Sequence, residues 1–163
     1  MKKGVTPVLI TLCVSLSSLP AYAVDGLGLG IIVGEPTGVS IKHWVSDRRA
    51  IDAAAAWSFS ENDSVQLHAD YLIHDFSLLR PEGLSGRMPV YAGLGLRLKL
   101  KDNDDGPGRN VDDDLVGVRV PIGISYLFHE SDVDIFAELV PVLDVAPDSD
   151  FDINAAIGAR LYF

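Results

Sequence analysis

From Leu27 onward the chain alternates between apolar and polar positions with a period of two. The clearest stretch is the last, FDINAAIGARLYF, in which Phe151, Ile153, Ala155, Ile157, Ala159, Leu161 and Phe163 oppose Asp152, Asn154, Ala156, Gly158, Arg160 and Tyr162. Alternation over this length predicts a strand with one apolar and one polar face. Seven earlier segments read the same way: Leu27 to Gly34, Gly38 to Ser46, Ile51 to Phe59, Val65 to His74, Val90 to Leu100, Val116 to Phe128 and Asp132 to Val145. The turn-forming runs EPTG, DRR, SENDS, HES and APDSD punctuate them, rich in residues that favour turns. No segment carries a 3.6-residue period. The strands have the length of roughly nine to eleven residues that crosses a bilayer at a tilt. Pro121 and Pro141 lie inside strands, and a bulge is expected near Pro141, where the alternation blurs after Val140. The link from Asp75 to Met88 is long for the end of a barrel at which turns are usually short.

Period alone does not say which face looks inward, because a soluble lipocalin-like barrel alternates too. The polar faces decide. They hold Gly93, Gly95, Gly117, Gly123, Ala156 and Gly158 among single long charges, whereas a water-facing strand is depleted in glycine. Small residues beside long charged ones suit the crowded interior of a narrow barrel. The charges expected in that lumen are Lys42, Asp52, Asp70, Arg97, Lys99, Arg119, Glu138 and Arg160. The opposite faces are aliphatic in mid-strand and aromatic toward the ends, at Trp57, Phe59, Tyr71, Tyr126, Phe128, Phe151 and Phe163, in the manner of the girdles of an outer-membrane barrel. The expected fold is all-β: an eight-stranded antiparallel up-and-down transmembrane β-barrel, apolar face outward. Closure of the last strand on the first would pair every backbone polar group, as lipid requires.

The N-terminus fits that destination. Lys2 and Lys3 precede an apolar run from Val8 to Leu19, and Ala21-Tyr22-Ala23 supplies a cleavage site, the layout of a secretory signal. The run is too short for a membrane helix, and Ile10-Thr11-Leu12 before Cys13 lacks the small residue expected beside a lipidated cysteine. Residues 1–23 are therefore expected to be a signal peptide and residues 24–163 a single barrel domain. The mature part has no cysteine, so no disulfide framework supports it. Without Lys2 and Lys3, eleven basic side chains face twenty-three acidic ones, a net charge of −12. That balance disfavours nucleic acid as a partner.

GEPTGVSIKHW, VYAGLGLRL, VRVPIGISYLF and FDINAAIGARLYF together resemble a family of small bacterial outer-membrane barrel proteins. The architecture is similar to the outer membrane protein X group and the membrane domain of outer membrane protein A. Gly158, Leu161 and Phe163 match the C-terminal assembly signal of such proteins, although Ala156 stands where a polar residue is common. The resemblance implies location in the outer membrane and contact with its lipid and lipopolysaccharide. It also implies passage through periplasmic chaperones and the barrel-assembly machinery, and a monomer. It implies no cofactor and no catalytic residue.

Two constellations invite other readings. His68 and Asp70 share one face of the fourth strand, with His74 near its end, but no serine is placed beside them by local spacing. Asp75-Phe76-Ser77 matches the adjacent Asp-Ser pair of a lipid A acyltransferase only loosely. A base within reach decides such cases. The acidic segment KDNDDGPGRNVDDD, Lys101 to Asp114, suggests calcium, but alignment on Gly106 puts Lys101 at the first ligand position of an EF-hand loop. The segment is expected to be an acidic solvated loop, with loose bridging of divalent cations as the alternative. The sequence thus points to a non-enzymatic barrel displaying acidic loops, with a lipid A-modifying enzyme as the main alternative and a soluble carrier as the lesser one.

Overall fold

The computed structural model describes residues 26–58, 64–101 and 114–163. Nine strand segments run in chain order: β1 Leu27–Gly34, β2 Thr37–Ser46, β3 Arg49–Ser58, β4 Ser64–Asp75, β5 Val90–Lys101, β6 Leu115–Arg119, β7 Ile122–Leu127, β8 Val133–Ala146 and β9 Asp150–Tyr162. All pairings are antiparallel: β1 to β5 pair in succession, β6 and β7 both lie between β5 and β8, and β8 pairs with β9. β1 pairs with β9 from Gly28↔Tyr162 to Gly34↔Ala156, closing the sheet into a ring. The last residue joins in, because Phe163 N donates to Leu27 O at 3.1 Å.

Segments β6 and β7 are one stave of the barrel. Both keep the same register on β5, from Gly95↔Arg119 to Ala92↔Ile122, and on β8, from Arg119↔Val142 to Ile122↔Leu139. The interruption at Val120 and Pro121 arises because proline has no N–H to give the ladder. Gly93 N still donates to Pro121 O, and Val120 N to Pro141 O, each at 2.9 Å. The ring therefore has the eight staves expected.

The bulge expected near Pro141 is not there. Register between β8 and β9 is unbroken from Val133↔Leu161 to Asp144↔Asp150. The shift falls instead between Val116 and Gly117, which face Ala146 and Asp144 and leave Val145 over. Pro141 fits a regular ladder because its carbonyl still accepts from Val120, so only one bond is forgone. The blurred alternation after Val140 has a different cause: Val140 and Val142 are lumen residues, each 1% exposed, and make the inner face locally apolar.

The distribution of side chains is inverted relative to a water-soluble protein. Lys42, Asp52, Asp70, Arg97, Arg119, Asp134, Asp144 and Arg160 are buried, while Leu94 and Leu96 are 62% exposed and Ile157 61%. At one end of the barrel lie both ends of the described chain, the short β2–β3 turn and the long β4–β5 link. At the other lie the β1–β2 turn, the β8–β9 turn and two connections outside the described residues. In the β1–β2 turn Gly34 has a φ of 141°, and its N–H and C=O both bond Thr37 Oγ1, at 3.1 and 3.0 Å. The expected cation-bridging segment, Lys101 to Asp114, lies outside the described residues except at its two ends.

Candidate functional site

The candidate site is the lumen, and one local rule organises it. Side chains on alternate staves are two strand spacings apart, about 10 Å, a span that an arginine and a carboxylate can cover if the residue between them has no side chain. Four glycines provide that gap. Gly117 stands between Arg97 on β5 and Asp144 on β8, and Arg97 Nε donates to Asp144 Oδ1 at 2.9 Å. Gly95 stands between Asp70 on β4 and Arg119 on β6, with Nε and Oδ1 2.9 Å apart. Gly123 separates Tyr91 from Glu138, and the tyrosine hydroxyl donates to Glu138 Oε2 at 3.0 Å. Gly30 separates Ser40 from Arg160, whose Nε donates to Ser40 Oγ at 2.8 Å. A Cβ on Gly95 would strike Asp70 Oδ1, and on Gly117 Asp144 Oδ1. These four glycines are thus places where the side chains on either side meet.

Further contacts tie these bridges into a network. Arg97 Nη1 donates to Asp152 Oδ2 at 3.2 Å. Arg119 Nη2 lies 3.6 Å from Glu138 Oε1. Arg160 bonds Asp52, approaches Asp134 at 3.8 Å and lies 3.8 Å over the Phe136 ring. Toward the end carrying the termini, Lys42 Nζ donates to His74 Nε2 at 2.9 Å, lies 3.9 Å from Asp134 Oδ2 and sits 4.5 Å over the Trp44 ring. Tyr162 Oη donates to Asp134 Oδ2 at 2.7 Å. Phe76, from the link, packs against the cluster of Trp44, Ala50 and Leu127, and Arg87 lies 4.8 Å over its ring. Among the described residues, four cations and four aspartates are buried. That balance matters because breaking such a pair leaves an uncompensated charge.

Seven of the eight charges expected in the lumen lie in this network: Lys42, Asp52, Asp70, Arg97, Arg119, Glu138 and Arg160. Lys99 lies half-buried on the same face, opposite Gln66 and Leu115. Asp134, Asp144 and the aromatic lining of Trp44, Tyr91, Phe136 and Tyr162 were not singled out from sequence, although all six stand at lumen positions of the alternation. Gly158 faces inward beneath Phe136, while Leu161 and Phe163 are exposed on the outside.

The residues that invited a catalytic reading are engaged otherwise. His68 Nδ1 lies 3.4 Å from Gln66 Nε2, Asp70 pairs with Arg119, and His74 accepts from Lys42. Ser77 Oγ donates to Asp75 Oδ1 at 2.6 Å on the exposed link. None of these contacts joins a serine to a histidine. Among the described residues, no group of three or more His, Cys, Asp or Glu is placed to hold a metal ion.

A closed antiparallel ring of eight staves, charged within and aliphatic without, has the architecture of an outer-membrane β-barrel, as the resemblance to the outer membrane protein A and X group implied. Solved structures agree. The fold is similar to the N-terminal β-barrel domain of Pseudomonas aeruginosa OprF, with a TM-score of 0.57 at 18% identity over 84% of this chain and 95% of that one. It is also similar to Neisserial surface protein A (NspA), with a TM-score of 0.52 at 15% identity over 84% of this chain and 93% of that one. No protein-family model matches the chain, and no curated protein matches it.

Proposed function

We propose that the protein is a non-enzymatic integral barrel of the outer membrane, with a lumen filled by its own side chains and an acidic surface displayed at one end. The inverted distribution carries this reading: paired charges inside a ring whose outer wall is aliphatic. Such a wall is stable only against hydrocarbon, where apolar side chains avoid water. Inside, the cross-glycine bridges occupy the bore, in keeping with the limited interior of an eight-stranded barrel. The role is then mechanical and topological, a rigid element that spans the membrane and holds up its loops. Glu35, Asp148 and Asp150 lie at the end away from the termini, and the acidic segment from Asp102 to Asp114 joins staves at that end. With the N-terminus in the periplasm, this acidic end faces the lipopolysaccharide surface and its divalent cations. Gly158, Leu161 and Phe163 serve assembly, and a signal peptide delivers the chain.

The test has two arms. Cell fractionation should place the protein in the outer-membrane fraction, requiring detergent for release; recovery in the soluble periplasm would refute the membrane reading. The lipid A mass spectrum of a deletion strain should match the parent; a lost or gained acyl or headgroup substituent would instead establish a lipid A-modifying enzyme.

A further inference from the structure

We propose that the β4–β5 link, residues 76–89, is an interfacial anchor that seats Leu78, Leu79 and Leu84 in the phospholipid leaflet at the end of the barrel carrying the termini. The proposal rests on the reading of the barrel as membrane-embedded.

The link is longer than its connection needs. At the same end β2 and β3 are joined by Asp47 and Arg48 alone, and β4 and β5 are likewise adjacent staves. Both ends of the link are fixed. Phe76 is held at the barrel mouth, where Asp75 Oδ1 also accepts from Ser77 N at 2.7 Å. Arg87 extends the sheet, exchanging backbone bonds of 2.9 and 2.8 Å with Leu127, and Pro89 O accepts from Ser125 N at 3.0 Å. Gly86 N donates to Tyr126 Oη at 3.0 Å. Tyr126 projects from the outer wall, edge-on to Phe128 with centroids 4.8 Å apart, so the link passes the wall at the height of an aromatic girdle.

What hangs between those fixed points is apolar and uncovered. Leu78 is 66% exposed and Leu84 54%, with Leu79 also exposed. The barrel core does not take them. The link that carries them meets the lipid-facing wall at Gly86 and Tyr126, and hydrocarbon is the medium that wall already requires. The charge suits a lipid surface too: Arg80 and Arg87 outnumber Glu82, the one acid in residues 76–89. Arginines can keep their heads at phosphodiesters while leucines go deeper, as in segments lying in the plane of a membrane interface. The opposite, acidic end has no comparable segment among the described residues.

The mature chain has no cysteine, so single-cysteine variants can report on position. Leu78→Cys, Leu84→Cys, Ser131→Cys in the β7–β8 turn at the same end, and Leu96→Cys on the wall would each carry an environment-sensitive fluorophore. Each is refolded as the full mature barrel in phosphatidylethanolamine–phosphatidylglycerol vesicles. A nitroxide near the top of the acyl chain should quench the labels at 78 and 84 by about twofold or more, as expected for interfacial insertion. Aqueous iodide should quench the label at 131. If labels at 78 and 84 respond to iodide like the one at 131, the anchor is refuted and the leucines face a soluble partner or water. A deep nitroxide that fails to quench the label at 96 would refute the embedded barrel itself, a separate failure.

Discussion

Removal of the Arg119 guanidinium tests the lumen where its charges are most interdependent. Arg119 is 1% exposed, with Nε 2.9 Å from Asp70 Oδ1 across Gly95 and Nη2 3.6 Å from Glu138 Oε1. In Arg119→Met both carboxylates lose this cation, and Glu138 keeps the Tyr91 hydroxyl as a hydrogen-bond partner. Breaking a buried pair from one side costs about 3–5 kcal/mol, roughly two to four powers of ten in the folding equilibrium. Neutralising the whole group, as Arg119→Met with Asp70→Asn and Glu138→Gln, should recover most of that loss, because no unpaired charge remains. Equilibrium urea unfolding from lipid vesicles, followed by heat-modifiable gel mobility, measures both variants. A loss below about 1 kcal/mol in the single variant would show that the pairing contributes no more than an exposed ion pair. A triple variant as unstable as the single one would show that shape, not charge, sets the cost.

Four further outcomes follow from the same geometry. Leu96→Arg, on the outer wall near mid-strand, should destabilise the barrel by about 2–4 kcal/mol in the same unfolding assay, and a neutral result would mean that this face does not meet lipid. Gly117→Ala should cost about 1–3 kcal/mol by overfilling, since its Cβ would meet Asp144 Oδ1 and come within 3.1 Å of Leu143 O; unchanged stability would refute the gap role of that glycine. Deletion of Phe163 should lower outer-membrane yield and leave protein in the periplasm, whereas normal yield would remove the terminal residue from the assembly signal. Millimolar calcium should slow protease cleavage within Lys101 to Asp114 on intact cells, less so when Asp112, Asp113 and Asp114 become Asn; cleavage indifferent to calcium would end the cation role.

The faces of the barrel were legible because a period of two assigns every residue of a strand to one side or the other. His43 and Leu127 show how far this reaches: the alternation sends the histidine outward and the leucine inward, and the burial pattern agrees. What alternation cannot supply is register, because sliding one strand by two residues preserves every face. Asp144 meets Arg97 only because Gly117 lies between them, a relation among three strands separated by up to 47 positions in sequence. The cross-glycine bridges were therefore invisible, although their components stand in the sequence as glycines and charges of the polar face. Trp44 and Phe136 were missed for another reason. Aromatic residues near strand ends suggest a girdle, yet these two fill the lumen beside Lys42 and Arg160, and only their place in the alternation separates them from Trp57 and Phe151. The link was recognisable as too long, but its return onto Leu127 depends on pairing that local sequence does not encode.

Whether charged faces look into the bore and aliphatic faces look at lipid is tested most directly by residues on opposite faces of one strand. In β9, Ile153 is 60% exposed and Asn154 6%; in β7, Ile122 is 50% exposed and Ser125 1%. Cysteine variants Ile153→Cys, Asn154→Cys, Ile122→Cys and Ser125→Cys, refolded in vesicles, can be treated with a lipid-soluble maleimide. Labelling is expected at 153 and 122, with 154 and 125 protected until the barrel is unfolded. Labelling at 154 and 125 with protection at 153 and 122 would turn the barrel inside out, making it a soluble carrier with an apolar cavity.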